Sequence, residues 1–166
     1  MGKVTIPGFE PDTFNLFLQY MFYGRYTLHE SDPLEDGPVL DTVKAWVLGD
    51  YLLAVDFQNY AMRCLYPLLL PDDGIKCQVC IGPEIVNFCC SNCPPGSPLV
   101  ELVSDFLIKY WHSGARIDYD SNNYEQWDTI WDENPAFRNN ILCETSQTFK
   151  VRARAPQNIE EYLITA

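Results

Sequence analysis

Five of the chain's seven cysteines lie between Cys77 and Cys93. They read as one C-x-x-C pair, Cys77 and Cys80, and after nine intervening residues a second, Cys90 and Cys93. A two-residue gap lets paired thiolates meet one metal ion without strain, so these four sulfurs have the spacing of a closed tetrahedral zinc site. The plainer reading is a cysteine-rich connection between helices, with Cys89 among its residues. Cys64, on the apolar face of a helical pattern, and Cys143, in a short apolar patch, read as small hydrophobes.

Other chemistry finds little to stand on. A serine elbow, a phosphate-binding glycine loop, a dinucleotide fingerprint and H-E-x-x-H are absent from the sequence, and no catalytic residue is assigned. The two histidines are His29, in an acidic stretch, and His112, near a helix end where the dipole favours a cation. Asp118, Asp120 and Asn122 match the first, third and fifth places of a calcium loop. Asn123 stands where that loop needs glycine and Thr129 where it needs a bidentate glutamate, so a solvated turn is the reading and no cofactor is expected.

Eleven Lys and Arg against 23 Asp and Glu give a net charge of −12, a field that repels phosphate backbones and argues against nucleic-acid binding. Lys150, Arg152 and Arg154, spaced by two, read as one face of a strand. No apolar run approaches the ~18 residues of a membrane span. The start, MGKVTIPGFEPD, has no apolar signal core, which predicts an intracellular protein, cytoplasmic or nuclear, with reduced thiols. At 166 residues the chain can bury a core without staples.

The elements are predicted by periodicity. Val4 to Ile6 suits a short edge strand. Phe14, Phe17, Leu18, Met21 and Phe22 form one stripe of a helix that begins near Pro11 and ends at Gly24. His29 to Pro38 reads as a loop. Val43, Trp46, Val47, Leu48, Tyr51, Leu52 and Val55 make a helix apolar nearly all round, hence buried between neighbours. Phe57 to Leu68 repeats an amphipathic pattern that Pro67 disturbs, and the near-absence of a linker implies a helical hairpin. After a turn at Pro71 to Gly74, Pro83 and Glu84 open a short helix to Phe88. Ser97 caps, and Pro98 begins, a helix with the stripe Leu99, Leu102, Val103, Phe106, Leu107, Tyr110 and Trp111, stopping at Gly114. Beyond it the chain reads as irregular, with a short helix from Pro135 to Cys143.

Two of these segments, FEPDTFNLFLQYMFYGRYTL and AWVLGDYLLAVDFQNYAM, resemble the later half of a BTB/POZ domain of the filamentous-fungal type. The family pattern F-x-x-F-L-x-Y-x-Y-x-G is matched by Phe14, Phe17, Leu18, Tyr20 and Gly24, with Phe22 at the place of its second tyrosine and Tyr23 one position later. Its following helix pair is matched by Trp46, Leu48, Gly49, Asp50, Leu52, Phe57, Asn59, Ala61 and Met62. CPPGSPLVELVSDFLIKYW is similar to the helical continuation of those proteins, which carries the likeness to about residue 111.

The resemblance implies a mainly α fold: a helical-hairpin cluster like the C-terminal part of that domain, with a short edge strand and an irregular C-terminal region. It divides the chain into a partial BTB-like region (1–70), a cysteine-rich connection (71–96) and a helical extension with an irregular tail (97–166). It implies a non-catalytic protein-interaction module, a substrate adaptor or scaffold piece, with a cullin-type ubiquitin-ligase scaffold as the partner class. Phe17, Met21, Phe22, Tyr23 and Tyr26 are the expected partner-binding residues. The elements that form the family's homodimer precede the matched segments and have no counterpart here, so the usual homodimer is not expected. In similar fungal proteins no cysteines recur before P-P-G-S-P-L, which favours the connection over the alternative, a small zinc-stabilised domain built on Cys77, Cys80, Cys90 and Cys93.

Overall fold

The structure, a computed structural model, describes residues 9–28, 37–70, 79–111, 116–119, 122–146 and 158–165. The Val4 to Ile6 strand, His29, His112, Cys77, Asp120, the Pro71 to Gly74 turn, Gly114 and the basic Lys150, Arg152 and Arg154 lie outside them. The fold is mainly α. Its helices are α1 (Pro11–Tyr23), α2 (Gly37–Tyr51), α3 (Val55–Leu69), α4 (Pro83–Asn92), α5 (Pro98–Tyr110), α6 (Tyr124–Glu133) and α7 (Pro135–Thr145), followed by a 3-10 turn at Ile159–Tyr162. Among the described residues no sheet forms; one isolated parallel bridge joins Ile81 to Ile117.

The hairpin of α2 and α3 is the centre of the packing. Val39, Thr42, Val43, Ala45, Trp46, Val47, Leu48 and Gly49 are all buried on α2, as an all-round apolar helix requires. Its neighbours are α3 on one side and α1 and α4 on others. The hairpin is closed at Gly49, where an added Cβ would lie 3.0 Å from both Cα and Cβ of Gln58. Around that contact Ala54 N donates to Gly49 O at 2.8 Å and Gln58 Nε2 donates to Asp50 Oδ1 at 3.2 Å. Gly49→Ala gains helix propensity but drives a methyl into α3 backbone, so a net loss of about 1–3 kcal/mol is expected in denaturant unfolding. An unchanged midpoint would show that the hairpin opens at no cost.

Several boundaries differ from the periodicity. Gly37 and Pro38 belong to the first turn of α2, where proline's fixed φ is tolerated. Tyr51 ends α2 and Val55 begins α3. The helix α3 runs through Pro67 to Leu69; so close to the end, the proline sacrifices one helical hydrogen bond and the buried Leu69 and Leu70 hold the last turn. The fourth helix extends past Phe88 to Asn92, so Cys89 and Cys90 are helical rather than part of a connection. At α5 the Ser97 hydroxyl accepts from Val100 N at 3.4 Å, the cap expected from Ser-Pro, and the helix ends at Tyr110.

The region expected to be irregular apart from one short helix contains two: α7, which begins at the expected Pro135 and runs to Thr145, and α6, which was not expected. Trp127 and Ile130 are buried on α6. The Trp127 indole donates to Asp118 O at 2.7 Å and stacks on Trp131 with centroids 5.3 Å apart, and Trp131 in turn stacks on Phe137 of α7 at 6.0 Å. These rings join both helices to a core that extends from Leu16 to Tyr162.

The chain's last described residues return to α3 and α5. Asn59 of α3 holds Ile164 at both backbone polar groups, donating to its carbonyl at 3.0 Å and accepting from its N–H at 2.8 Å. Tyr162 is buried and its hydroxyl donates to the Asp105 carboxylate on α5. Burial raises the Asp105 carboxyl above its ordinary range; the Tyr162 bond opposes this, and Glu101, Glu161 and Glu144 add to the rise. A carboxyl whose folded pKa exceeds its unfolded one binds more protons when folded, so its contribution weakens as pH climbs from the ordinary carboxylate range through the raised value. Asp105→Asn keeps an acceptor for Tyr162 and removes this titration. The variant is expected to gain on the parent across that interval, read from denaturation midpoints at successive pH values, and a pH-independent difference would contradict it.

Candidate interaction surface

Helix α1 is apolar on more than one face. It starts with Pro11 at its first position and stops at Gly24, whose φ of 67° is left-handed and whose N–H donates to Tyr20 O at 2.7 Å. The face that packs inward is Thr13 and Leu16, with Phe17 and Tyr20 half-buried beside them. Phe17 meets Phe57 edge-on at 5.2 Å, and Tyr20 meets Phe57 at 5.3 Å and Tyr60 at 5.1 Å. The docking face is therefore rotated from the predicted stripe. Leu18, Met21 and Phe22 turn outward, because Thr13-Leu16-Tyr20 offers the same helical spacing and the aromatic rings of α3 receive it.

Of the five residues expected at a partner surface, Met21, Phe22 and Tyr23 are 64%, 78% and 76% exposed. Phe17 is half-buried between this surface and α3. Tyr26 is in the core at 6% exposure, its ring edge-on to Phe57 at 5.9 Å and Tyr60 at 5.1 Å. It is thus removed from the surface set: Gly24 reverses the chain and turns Tyr26 back onto α3. Burial, reinforced by the neighbouring Cys64, pushes its hydroxyl well above the usual tyrosine range.

Leu53, which the sequence did not single out, completes the surface. It lies in the turn between α2 and α3 and is 87% exposed. Its φ of 54° is the only positive value at a non-glycine residue among those described. Phe17, Tyr20 and Met21 of α1 face Leu53, Ala54, Val55 and Phe57 across an open groove of about 470 Å3. Asp56 supplies the acidic group in its lining. The nearest signal in the sequence was Tyr51-Leu52-Leu53, three apolar residues in the short space between two helices.

The cysteines have a different setting. Cys80 precedes the Ile81 bridge, Cys90 is in the last turns of α4 and Cys93 is its C-cap. Among the described residues no three His, Cys, Asp or Glu side chains gather as a metal site would require. Cys80, Cys90 and Cys93 therefore do not form the set that the spacing allowed, and Cys77 is outside the described residues. Burial pushes the Cys90 and Cys93 thiols up to about 11 and that of Cys89 well above its ordinary value, which favours the protonated form over the thiolate that binds metal. Cys143, expected in an apolar patch, is exposed on α7.

No helix among the described residues is long and apolar enough to cross a membrane. No family model, curated protein or solved structure matches the chain.

Proposed function

We propose that this chain is a non-catalytic protein-interaction module that receives a partner protein in the groove between the C-terminal half of α1 and the α2–α3 turn. The observation that carries this reading is Leu53: an apolar side chain 87% exposed, at a φ of 54°. A left-handed conformation costs a β-carbon residue roughly 1–2 kcal/mol, and leaving leucine in water recovers none of it. Glycine at this turn would avoid both costs. A partner that buries Leu53 gives the arrangement a use, and the adjoining Met21, Phe22 and Tyr23 are residue types enriched at protein interfaces.

The partner's chemistry follows from the lining. It presents an apolar anchor to Phe17, Met21 and Leu53, and basic groups at its rim to suit Asp56 and a chain of net charge −12. A cullin-type ubiquitin-ligase scaffold is the class implied by the BTB/POZ resemblance of Phe14 to Gly24 and Trp46 to Met62. Calorimetric titration of the full chain with a recombinant scaffold of that type tests the reading. Saturable binding that Phe22→Ala and Tyr23→Ala weaken supports it. A silent titration, or binding indifferent to both substitutions, removes it.

A further inference from the structure

Residues 158–165 lie on the rest of the protein as a bound peptide lies on its receptor. Within the segment, Glu160 N donates to Asn158 Oδ1 at 3.1 Å and Glu161 N donates to Asn158 O at 3.2 Å, so the 3-10 turn satisfies part of its own backbone. One side chain, Tyr162, is inserted at 2% exposure, while Ile159, Leu163 and Ile164 are half-buried and Glu160 and Glu161 are exposed. A buried aromatic anchor inside a solvated polar rim is the anatomy of a peptide interface.

The receptor is one face of α3 together with part of α5. Asn59, Arg63 and Tyr66 follow the i, i+4, i+7 spacing that aligns them on one side of α3. They meet the segment in reverse order: Asn59 clasps both backbone groups of Ile164, Arg63 pairs with Glu160 at 3.4 Å, and the Tyr66 ring lies 6.0 Å from that of Tyr162. Asp105 of α5 accepts the Tyr162 hydroxyl. The Asn59 clasp uses only main-chain atoms of Ile164, so it selects an extended backbone, and the tyrosine supplies the selectivity.

The charges of the present occupant suit this face poorly. After burial itself, and against the Tyr162 bond, the carboxylates of Glu101, Glu161 and Glu144 push the Asp105 carboxyl up, so the segment brings Glu161 into an acidic surround. Among the described residues no Lys or Arg pairs with Asp105, Glu101 or Glu161. Like charges across an interface weaken it and select against the occupant that brings them, and a basic residue in the place of Glu161 turns the repulsion into attraction.

From this arrangement we infer that the α3–α5 face is a second docking site, held in cis by the chain's own segment as a weak pseudo-ligand, and that its partner is an extended peptide carrying a basic residue, a tyrosine and two aliphatic residues in succession. The site shares no residue with the α1 groove, so it stands or falls apart from the docking proposed there.

Two synthetic peptides serve as probes: Asn-Ile-Glu-Glu-Tyr-Leu-Ile-Thr, the segment's own sequence, and the same peptide with lysine in place of its second glutamate. Ile164→Pro in the full chain removes the N–H donated to Asn59 and releases the segment, and unchanged far-UV helicity checks the fold. To this variant the lysine peptide is expected to bind about five- to ten-fold more tightly than the glutamate peptide. On the parent chain, where the segment competes from within, both affinities should fall by about ten-fold or more. Adding Asn59→Ala to Ile164→Pro should weaken both peptides by about ten-fold. A lysine peptide that still binds as tightly would report only general attraction to a chain of net charge −12 and would overturn the site. Glu161→Lys in the full chain, at an exposed position, tests the same inference with the segment in place and decides it if Ile164→Pro loses helicity. It should slow hydrogen exchange of the Ile164 amide by about five- to ten-fold. Unchanged or faster exchange, equal affinities of the two peptides, or no binding to a folded Ile164→Pro chain would each overturn the inference.

Discussion

Trp46→Ala is expected to lower stability by about 3–5 kcal/mol, the largest loss from any single side chain considered. Trp46 is 2% exposed on a helix whose neighbouring positions Thr42, Val43, Ala45, Val47 and Leu48 are also buried. The cavity left by the indole therefore has no solvent face into which it can open, and the close approach at Gly49 keeps α3 from collapsing onto it. For a chain of this size the loss corresponds to a melting point lower by roughly 6–20 °C. Trp46→Phe separates packing from polarity. The indole N–H has no hydrogen-bond partner, so phenylalanine refills most of the volume while removing an unpaired buried donor, and a cost below about 1.5 kcal/mol is expected. Should alanine cost less than about 1 kcal/mol in two-state denaturant unfolding, α2 is not the packed centre of the fold.

The parts of the fold legible in the sequence are those in which a local rule and a packing need agree. Gly24 is a residue that both ends a helix and adopts a left-handed φ; Ser97 followed by Pro98 supplies a cap and a preset first turn; α2 is apolar all round and is buried all round. Where two packings satisfy one pattern, the sequence leaves the choice open. Helix α1 carries apolar residues on both the Thr13-Leu16-Tyr20 face and the Leu18-Met21-Phe22 face, and only Phe57 and Tyr60 across the interface decide between them. Helix α6 went unread because Asp, Asn and Tyr around it suggest turns, whereas its stability comes from Trp127, Ile130 and Trp131 meeting rings distant in sequence. The cysteines show the converse limit. Spacing suggested a four-sulfur site; α4 carries Cys89 and Cys90 into helix, Cys77 lies outside the described residues, and the thiols that are described form no metal-holding group. Gly49 and Asn59 were visible as motif residues, but their tasks, a backbone contact with Gln58 and a clip on Ile164, require the folded chain.

The second large effect concerns Leu53, where binding and stability are expected to change in opposite directions. Leu53→Gly removes the left-handed strain of roughly 1–2 kcal/mol, against which glycine's greater freedom in the unfolded chain costs about 0.5–1 kcal/mol. With 87% of the side chain already exposed, little packing is lost, so unfolding stability is expected to stay level or rise slightly. The groove loses one wall, and partner affinity should fall by about 2 kcal/mol, close to 30-fold. Phe22→Ala, at a side chain 78% exposed, should reduce affinity comparably with a stability change within about 0.5 kcal/mol. Tyr26→Ala provides the contrast: it opens a gap beside Phe57 and Tyr60, destabilises the fold, and affects binding only through that. Parallel calorimetry and denaturant unfolding on the three variants distinguish these outcomes. If Leu53→Gly weakens folding while leaving the partner bound as before, the exposed leucine is a structural compromise of the hairpin and the docking surface has been misplaced. If a concentration-dependent dimer appears in light scattering and Phe22→Ala dissolves it, the face joins two copies of this chain instead of receiving a foreign partner.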